Sequence, residues 1–243
     1  MKTFVINLDK NPERLEYMDK QLKALGLPYE RFPGVCGKKL SRMELKQCFA
    51  PFRSFCVEGR RIVPGEIGCA LSHIGVYMRI MQDNLPYALV FEDDVMLLPE
   101  FALALKQVES IIDPNRPQVY MLSCHGYGFG KNKENVPGVE KICGATSADA
   151  YCISKAAAAL IIKSNYPIVS VADRWSRWRK HMKLELFRLW PVVAAQDRVT
   201  WHVGLSEIKV EKKELKGIVK LLHKMNRTWQ VLIDNVMFVV WGH

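Results

Sequence analysis

Three consecutive carboxylates, Glu92, Asp93 and Asp94, are the residues best suited to chemistry. Adjacent carboxylates repel each other and stay ionised together only beside a counter-charge. Hard cations such as Mg²⁺ and Mn²⁺ prefer oxygen ligands and commonly bridge a carboxylate to substrate phosphates. Side chains alternate along an extended strand, so Glu92 and Asp94 are predicted to face one way and Asp93 the other. A solvated acidic turn is the alternative, but a buried strand that delivers the acids to a sheet edge favours a metal site.

A second segment, Pro64 to His73, places glycines at the start of a helix. Glycine permits close approach, and a helix N-terminus favours phosphate. The segment is not a P-loop, because it has no Gly-Lys-Ser/Thr ending. Ser72 and His73 could contact a ligand, and ordinary helix packing is the alternative. Nucleophilic catalysis has no support, since there is no Gly-x-Ser-x-Gly elbow and seven cysteines with six histidines produce chance Cys–His pairs.

Strand and helix patterns alternate along the chain and determine where these residues lie. This alternation predicts an α/β fold with a largely parallel central sheet. Ligands of such sheets bind beyond the carboxyl ends of the strands, which selects residues 7–9 and 92–94. The predicted strands are 3–8, 28–32, 87–91, 119–122 and 151–153, and the predicted helices start at Pro12 (capped by Asn11), Pro64, Pro99 and Lys155 (capped by Ser154). Residues 33–63 are predicted to be an irregular excursion or a small lobe within a catalytic domain of residues 1–206.

Composition excludes several classes of protein. The chain has 243 residues, 49% hydrophobic and 25% charged, which is typical of a packed domain and not of a disordered, collagenous or coiled-coil chain. The amino terminus does not resemble a signal peptide, so we expect a cytoplasmic protein with free cysteines.

The net charge of +10 is unevenly distributed, with basic stretches at 174–188 and 207–227. Such stretches suit nucleic acid, an anionic membrane surface or a phosphorylated glycolipid. Residues 207–243 form a basic amphipathic segment that either lies on a membrane interface or packs on the domain.

Four motifs occur in the order found in one enzyme family. They are Phe4–Leu8 with Arg14, the sequence PGEIGCALSHI at 64–74, LVFEDDV at 89–95, and residues 144–154 with their AYCIS ending. In this order the chain resembles bacterial lipooligosaccharide galactosyltransferases of glycosyltransferase family 25. The resemblance implies a GT-A-like nucleotide-sugar fold, a divalent metal (Mn²⁺ or Mg²⁺), UDP-galactose as donor and inversion at the anomeric carbon.

The same resemblance assigns roles to single residues. Asp94 is the preferred metal ligand, and Asp93 is the second candidate for that role or a contact to the donor ribose. The residues that correspond to donor-binding positions are Asn7, Leu8, Arg14, Glu66, Ser72, His73, Glu92, Asp93 and Gln196.

An inverting transfer also needs a base that removes the proton of the acceptor hydroxyl. Asp173 is the candidate, because it lies outside the metal motif and precedes a Trp- and Arg-rich stretch. Its Val-Ala-Asp context resembles a later Val-Asp element of the family, with an alanine inserted. Asp93 and Glu66 are the next candidates for the base. Trp175 and Trp178 are candidates for stacking on sugars or for burial in the core.

Two other functions compete with this interpretation. One is a nucleic-acid-binding module driven by the positive charge, which lacks zinc-finger spacing or an RNP-like motif. The other is a metal-dependent phosphohydrolase that uses the acidic cluster. We expect a UDP-sugar donor and a glycolipid acceptor, no nucleic acid, and a position in the cytoplasm or on the cytosolic face of the inner membrane.

Overall fold

The computed structural model describes residues 1–123, 127–128, 138–197 and 199–201. The elements alternate as predicted, and each predicted strand and helix is present with its ends shifted by a few residues. In chain order they are β1 (Lys2–Asn7), α1 (Pro12–Ala24), β2 (Glu30–Pro33), α2 (Arg42–Cys48), α3 (Pro51–Glu58), α4 (Pro64–Gln82), β3 (Tyr87–Glu92), β4 (Val95–Leu97), α5 (Phe101–Ile111), β5 (Gln118–Met121), β6 (Tyr127–Gly128), β7 (Gly138–Gly144), β8 (Ala150–Ser154), α6 (Lys155–Asn165), α7 (Trp175–Met182), β9 (Glu185–Trp190) and β10 (Ala194–Gln196).

The main sheet has the strand order β2-β1-β3-β8-β5-β9-β7-β6. Within the described residues β7 and β8 run opposite to the other strands, which follows from their antiparallel pairings. The predicted α/β fold with a largely parallel central sheet is therefore confirmed. A small antiparallel pair, β4 with β10, lies beside it.

Hydrophobic residues cover both faces of the sheet. Helices α4 and α6 contribute to the core on one face, and α1 and α5 contribute to the core on the other. Trp175 and Trp178 belong to the first core and are almost completely buried. They are therefore core residues, and the predicted stacking on sugars is wrong for both.

The segment 33–63 is not irregular, and this part of the sequence prediction is corrected. It contains a 3-10 turn at Gly37–Lys39 followed by α2 and α3. A capping box starts α2, because the Ser41 side chain accepts from the Glu44 backbone while the Glu44 carboxylate accepts from the Ser41 N–H. Gly59, with a φ of 68°, ends α3 in the left-handed conformation that favours glycine.

Of the two predicted N-caps, Ser154 is confirmed and Asn11 is corrected. The Ser154 side chain accepts from the Ala157 N–H at 3.1 Å, so it caps α6 as predicted. Asn11 precedes α1 but its side chain makes no capping hydrogen bond. Instead its backbone carbonyl accepts from the Asn7 side chain at 2.8 Å.

The basic stretch at 174–188 is partly neutralised inside the fold. Arg174 pairs with Glu58, and Arg188 pairs with Glu140 at 2.8 Å. The predicted amphipathic segment 207–243 lies outside the described residues. None of the helices within the described residues is long and apolar enough to cross a membrane.

Candidate active site

The carboxyl ends of β1 and β3 meet at one edge of the sheet. The two strands are parallel neighbours, with Ile6 opposite Glu92. The chain continues to Asn7 on one strand and to Asp93 on the other, and these two residues, one from each of the stretches that the sheet rule selects, are in contact. Pairing in the middle of the sheet therefore fixes the position of the acidic cluster.

Asp93 is held by two side chains from the first strand–helix unit. The Asn7 amide donates to Asp93 Oδ2 at 2.7 Å, and Arg14 Nη1 donates to Asp93 Oδ1 at 3.2 Å. Burial raises the pKa of Asp93, and the contacts with Asn7 and Arg14 only partly oppose this rise. The Asn7 side chain also donates to the Asn11 carbonyl and accepts from Arg31 Nε at 3.0 Å. Asn7 thus positions Asp93. The next residue, Leu8, contributes its backbone, since its carbonyl accepts from the Asn11 N–H at 2.9 Å.

Asp94 has one carboxylate oxygen with partners and one without. Gln196 Nε2 donates to Asp94 Oδ2 at 3.0 Å, and Arg14 Nη1 lies 3.6 Å from the same oxygen. Asp94 Oδ1 is buried and has no hydrogen-bond partner among the described residues. Burial and the charge of Glu92 raise the pKa of Asp94 to about 7. A buried oxygen without a donor beside further carboxylates is the environment that a hard cation satisfies, so these residues fit a divalent metal.

The predicted alternation of the three acids ends at Glu92. Strand β3 stops there, and Asp93 and Asp94 form the turn that leads to β4. As a result Asp93 and Asp94 share the guanidinium of Arg14, whereas Glu92 faces α4. Glu92 nevertheless lies close to Asp94, because its charge raises the pKa of Asp94 more than the charge of Asp93 does, and the expectation that Glu92 and Asp94 face the same way stays a prediction.

Glu92 is the end of a buried chain of polar groups. His73 Nε2 lies 3.2 Å from Glu92 Oε1, and His73 Nδ1 lies 2.7 Å from the Tyr151 hydroxyl. The Tyr151 hydroxyl is in turn 2.7 Å from that of Tyr77. Burial acts to raise the pKa of Glu92, but the hydrogen bond and charge of His73 outweigh it and lower this pKa. His73 is therefore at the predicted site and acts by contacting Glu92.

Cys69 completes a small group of possible ligands with His73 and Glu92. Its thiol donates to Glu92 Oε1 at 3.5 Å, and the three candidate ligand atoms lie within 4.8 Å of one another. Burial and the nearby charge of Glu92 hold the pKa of the Cys69 thiol well above its ordinary value. The Cys69 thiol therefore stays protonated, and the three residues form a hydrogen-bonded cluster beside the acidic site.

Two predicted donor-binding residues, Glu66 and Ser72, make hydrogen bonds within the first half of α4 and with the chain before it. The Glu66 carboxylate accepts from both terminal nitrogens of Arg60, at 2.6 and 2.8 Å, and from the Val63 N–H. The Ser72 hydroxyl accepts from the Val35 N–H and donates to the Gly68 carbonyl, both at 2.8 Å. The described contacts of both side chains are thus within the protein, which is a structural role that the motif alone did not reveal.

Close backbone contact explains the glycines of this motif. A Cβ on Gly68 would lie 2.3 Å from the Val35 carbonyl oxygen, and a Cβ on Gly37 would lie 1.7 Å from the Pro64 carbonyl oxygen. Both contacts are with backbone atoms that cannot rotate away. The glycines therefore allow the 37–39 turn to pack on α4, rather than exposing amides to a phosphate.

Asp173, the predicted base, is partly exposed in the turn before α7. Its charge contributes to the raised pKa values of Cys69, Arg60 and Arg174. Because Cys69 also contacts Glu92, Asp173 lies within electrostatic range of the acidic site. The turn is anchored through Arg174, whose guanidinium pairs with the buried carboxylate of Glu58.

Several residues that were not among the predicted site residues hold the acidic segment in place. Asp149 accepts from Ser123 at 2.5 Å, and its carbonyl accepts from the Glu92 N–H at 2.8 Å. Asp197 donates its N–H to the Asp94 carbonyl and accepts from the Tyr17 hydroxyl at 2.8 Å. Two signals were available: Asp149 lies within the 144–154 motif, and Asp197 directly follows Gln196.

Comparison with known proteins identifies the family. A family model described as glycosyltransferase family 25 (LPS biosynthesis protein) matches residues 1–175. Among curated relatives, a glycosyltransferase 25 family member of Drosophila pseudoobscura pseudoobscura is 34% identical over 117 residues, which are 45% of this chain and 19% of that protein. Procollagen galactosyltransferase 1-A of Xenopus laevis is 33% identical over 97 residues, covering 39% of this chain and 16% of that protein.

A bacterial relative and a solved structure extend the comparison. A protein of Haemophilus influenzae called a putative glycosyltransferase is 29% identical over 133 residues, covering 55% of this chain and 45% of that protein. This chain therefore spans less than half the length of these curated relatives. A structure of Drosophila β-1,4-galactosyltransferase 7 with manganese, UDP-Gal and xylobiose has a TM-score of 0.42 and 9% sequence identity. The match covers 93% of this chain and 80% of that chain. This similarity is too distant for a comparison of single residues. The match of the family model over most of the described residues shows that this chain belongs to glycosyltransferase family 25.

Proposed function

We propose that this protein is a metal-dependent, inverting galactosyltransferase that moves galactose from UDP-galactose to a sugar of a lipooligosaccharide core. The observation that carries the proposal is the buried Oδ1 of Asp94, which has no hydrogen-bond partner among the described residues and lies beside Asp93 at the carboxyl edge of the sheet. Galactose is supported by the procollagen galactosyltransferase relative, and a lipopolysaccharide-type acceptor by the description of the family model. The proposed place of action is the cytoplasm, at the cytosolic face of the inner membrane.

Asp94, with Asp93 beside it, would hold the metal ion. When bound, Mn²⁺ or Mg²⁺ neutralises negative charge that develops on the departing nucleoside diphosphate. The protein prepares this site by fixing both carboxylates before the donor arrives. Asn7 and Arg14 hold Asp93, and Gln196 holds the second oxygen of Asp94.

The transfer itself exchanges one bond for another. The acceptor hydroxyl oxygen forms a bond to the anomeric carbon of galactose from the face opposite the diphosphate, and the bond from that carbon to the diphosphate oxygen breaks. UDP leaves with the electron pair of the broken bond. The proton of the hydroxyl passes to Asp173, which acts as general base. Asp173 suits this role because it is partly exposed, its charge acts on Cys69, which contacts Glu92, and it does not belong to the proposed metal ligands.

Membership in a glycosyltransferase family argues against the two alternative functions. A phosphohydrolase would use the same acids on a phosphoester without a sugar acceptor. A nucleic-acid module would depend on the charge of the basic stretch at 174–188, in which Arg174 and Arg188 pair with carboxylates of the fold.

A panel of nucleotide sugars with Mn²⁺ tests the proposal. We expect slow hydrolysis of UDP-galactose, and we expect UDP to raise the melting temperature more with Mn²⁺ than with EDTA. Asp94→Asn should abolish turnover and this metal-dependent protection while the protein stays folded. Glu100→Gln, which changes an exposed carboxylate at the start of α5, is the matched control and should behave as wild type. Full activity of the metal-free protein would refute metal dependence.

A further inference from the structure

The helical segment 37–61, which we call the α2–α3 lobe, exposes large apolar side chains. Phe52 is 80% exposed, Met43 68% and Phe55 40%. Phe52 and Phe55 are three residues apart on α3, so they lie on the same face of the helix. Leaving a phenylalanine in water forgoes most of the stabilisation that its burial would supply. The exposed face is therefore suited to contact with an apolar medium.

The lobe also carries a strong positive charge. It contains seven Lys and Arg residues against two Glu, a net charge of +5, which is half the excess of the whole chain. Glu58 is buried against Arg174, so it does not offset the surface charge of the lobe. The basic side chains that are exposed are Lys38, Lys39, Arg42, Lys46, Arg53 and Arg61. Aromatic and basic residues together complement an anionic lipid surface, where rings enter the interface and cations face the headgroups.

The α2–α3 lobe lies at the same edge of the sheet as the acidic site. The lobe starts after β2 and ends at α4, and β2 runs parallel to β1, so it leaves the sheet at the edge where Asp93 lies. It is fixed there by the bridge of Phe49 with Ile168 and by the Glu58–Arg174 pair next to Asp173. A surface that binds the α2–α3 lobe is therefore held on the same side of the sheet as the site.

We propose that the α2–α3 lobe docks the protein on an anionic lipid surface, with Phe52 and Phe55 inserted at the interface. The proposal extends the proposed function, because a docked enzyme meets the sugar of a glycolipid at its acidic edge. It is independent of the segment 207–243, which lies outside the described residues. Docking needs neither the metal nor the donor, so it can fail while the transferase activity holds, and the reverse.

Co-sedimentation of the full chain with vesicles tests the docking. The anionic vesicles contain phosphatidylethanolamine and phosphatidylglycerol in equal parts, and the neutral vesicles contain phosphatidylcholine. We expect binding to the anionic vesicles that weakens as salt is added, and little binding to the neutral ones. Phe52→Ser with Phe55→Ser should weaken anionic binding by about tenfold or more, since loss of one buried aromatic ring accounts for roughly tenfold.

Matched variants separate docking from folding and from other surfaces. Leu103→Ser removes an apolar side chain that is 74% exposed on α5, which packs on the opposite face of the sheet, and it should bind vesicles as wild type. Arg42→Glu with Lys46→Glu should weaken binding to anionic vesicles only. All variants should stay folded, as judged by a cooperative melting transition, and should keep wild-type hydrolysis of UDP-galactose.

Three results would overturn the proposal. One is the absence of vesicle binding by the wild-type protein. Another is wild-type binding by the double phenylalanine variant, which would place the contact elsewhere, for example in residues 207–243. The third is concentration-dependent self-association that the phenylalanine substitutions abolish without any vesicle binding, which would make the lobe a protein interface.

Discussion

The buried carboxylate of Glu58 provides the most direct test of how the fold supports the candidate base. Glu58 Oε1 accepts from the Ser170 hydroxyl at 2.5 Å and from the Val171 N–H at 3.3 Å. Its carboxylate also accepts from Arg174 Nε at 3.0 Å, and its side chain is completely inaccessible to solvent. One carboxylate thus joins the end of α3 to the turn that carries Asp173. We predict that Glu58→Gln loosens this junction.

The size of the effect follows from burial and exposure of the two partners. Breaking a fully buried ion pair costs about 3–5 kcal/mol, but the Arg174 side chain is 45% exposed and can be rehydrated. We therefore expect Glu58→Gln to lower the free energy of unfolding by about 2–3 kcal/mol. At about 2–4 °C per kcal/mol for a chain of this size, the melting temperature should fall by roughly 4–12 °C.

The pH dependence of this loss has a defined sign. Burial acts to raise the pKa of Glu58, but the hydrogen bonds and charge of Arg174, with Ser170, outweigh it and lower this pKa below 4.5. A carboxyl with a lowered folded-state pKa stabilises the protein above its unfolded pKa and loses that contribution as the pH falls through the folded value. The wild type and Glu58→Gln should therefore differ most near neutral pH and converge in acid as the pH falls through the lowered pKa of Glu58.

Urea denaturation across this pH range measures the difference. Glu44→Gln is the matched control, because Glu44 makes a comparable backbone contact on the neighbouring helix while exposed, and it should destabilise the protein much less than Glu58→Gln does. We also expect Glu58→Gln to slow sugar transfer more than it weakens protection by UDP, since the turn of Asp173 moves but the acidic site does not. Equal stability of Glu58→Gln and wild type at neutral pH would refute this reasoning.

The remaining predictions concern the base, the packing of α4 and the buried tyrosine. Asp173→Asn should slow transfer by about 10²–10⁴-fold with UDP binding intact, as measured by initial rates and thermal shift, and a near wild-type rate would place the base elsewhere. Gly68→Ala should destabilise the protein by at least about 2 kcal/mol in urea denaturation, because its Cβ would meet the Val35 carbonyl oxygen, and a smaller loss would show that the backbone there can shift. Tyr151→Phe should cost about 1–3 kcal/mol by the same method, because His73 Nδ1 then loses its buried hydrogen-bond partner, whereas unchanged stability would indicate that water replaces it.

Local sequence signals were sufficient for the elements and for the position of the acidic cluster. A continuous apolar run over Tyr87–Phe91 predicts a buried strand, and a strand of a parallel sheet must deliver the next residues of the chain to the carboxyl edge. The meeting of Asn7 with Asp93 was predictable from that rule alone. Ser41 and Glu44 also have the spacing of a capping box, and this local pattern predicts the start of α2 within the segment that was expected to be irregular.

Tertiary structure decided what each polar side chain does, because hydrogen-bond partners come from distant parts of the chain. The motif that contains Glu66 and Ser72 has the composition of a ligand-binding segment. In the folded protein, however, the Glu66 carboxylate accepts from Arg60 and the Ser72 hydroxyl accepts from the Val35 N–H. Asp94, in contrast, has an oxygen without a described partner. Residue type and spacing are the same for a carboxylate in either situation, so the sequence indicates which groups could bind and only the packing determines which remain available.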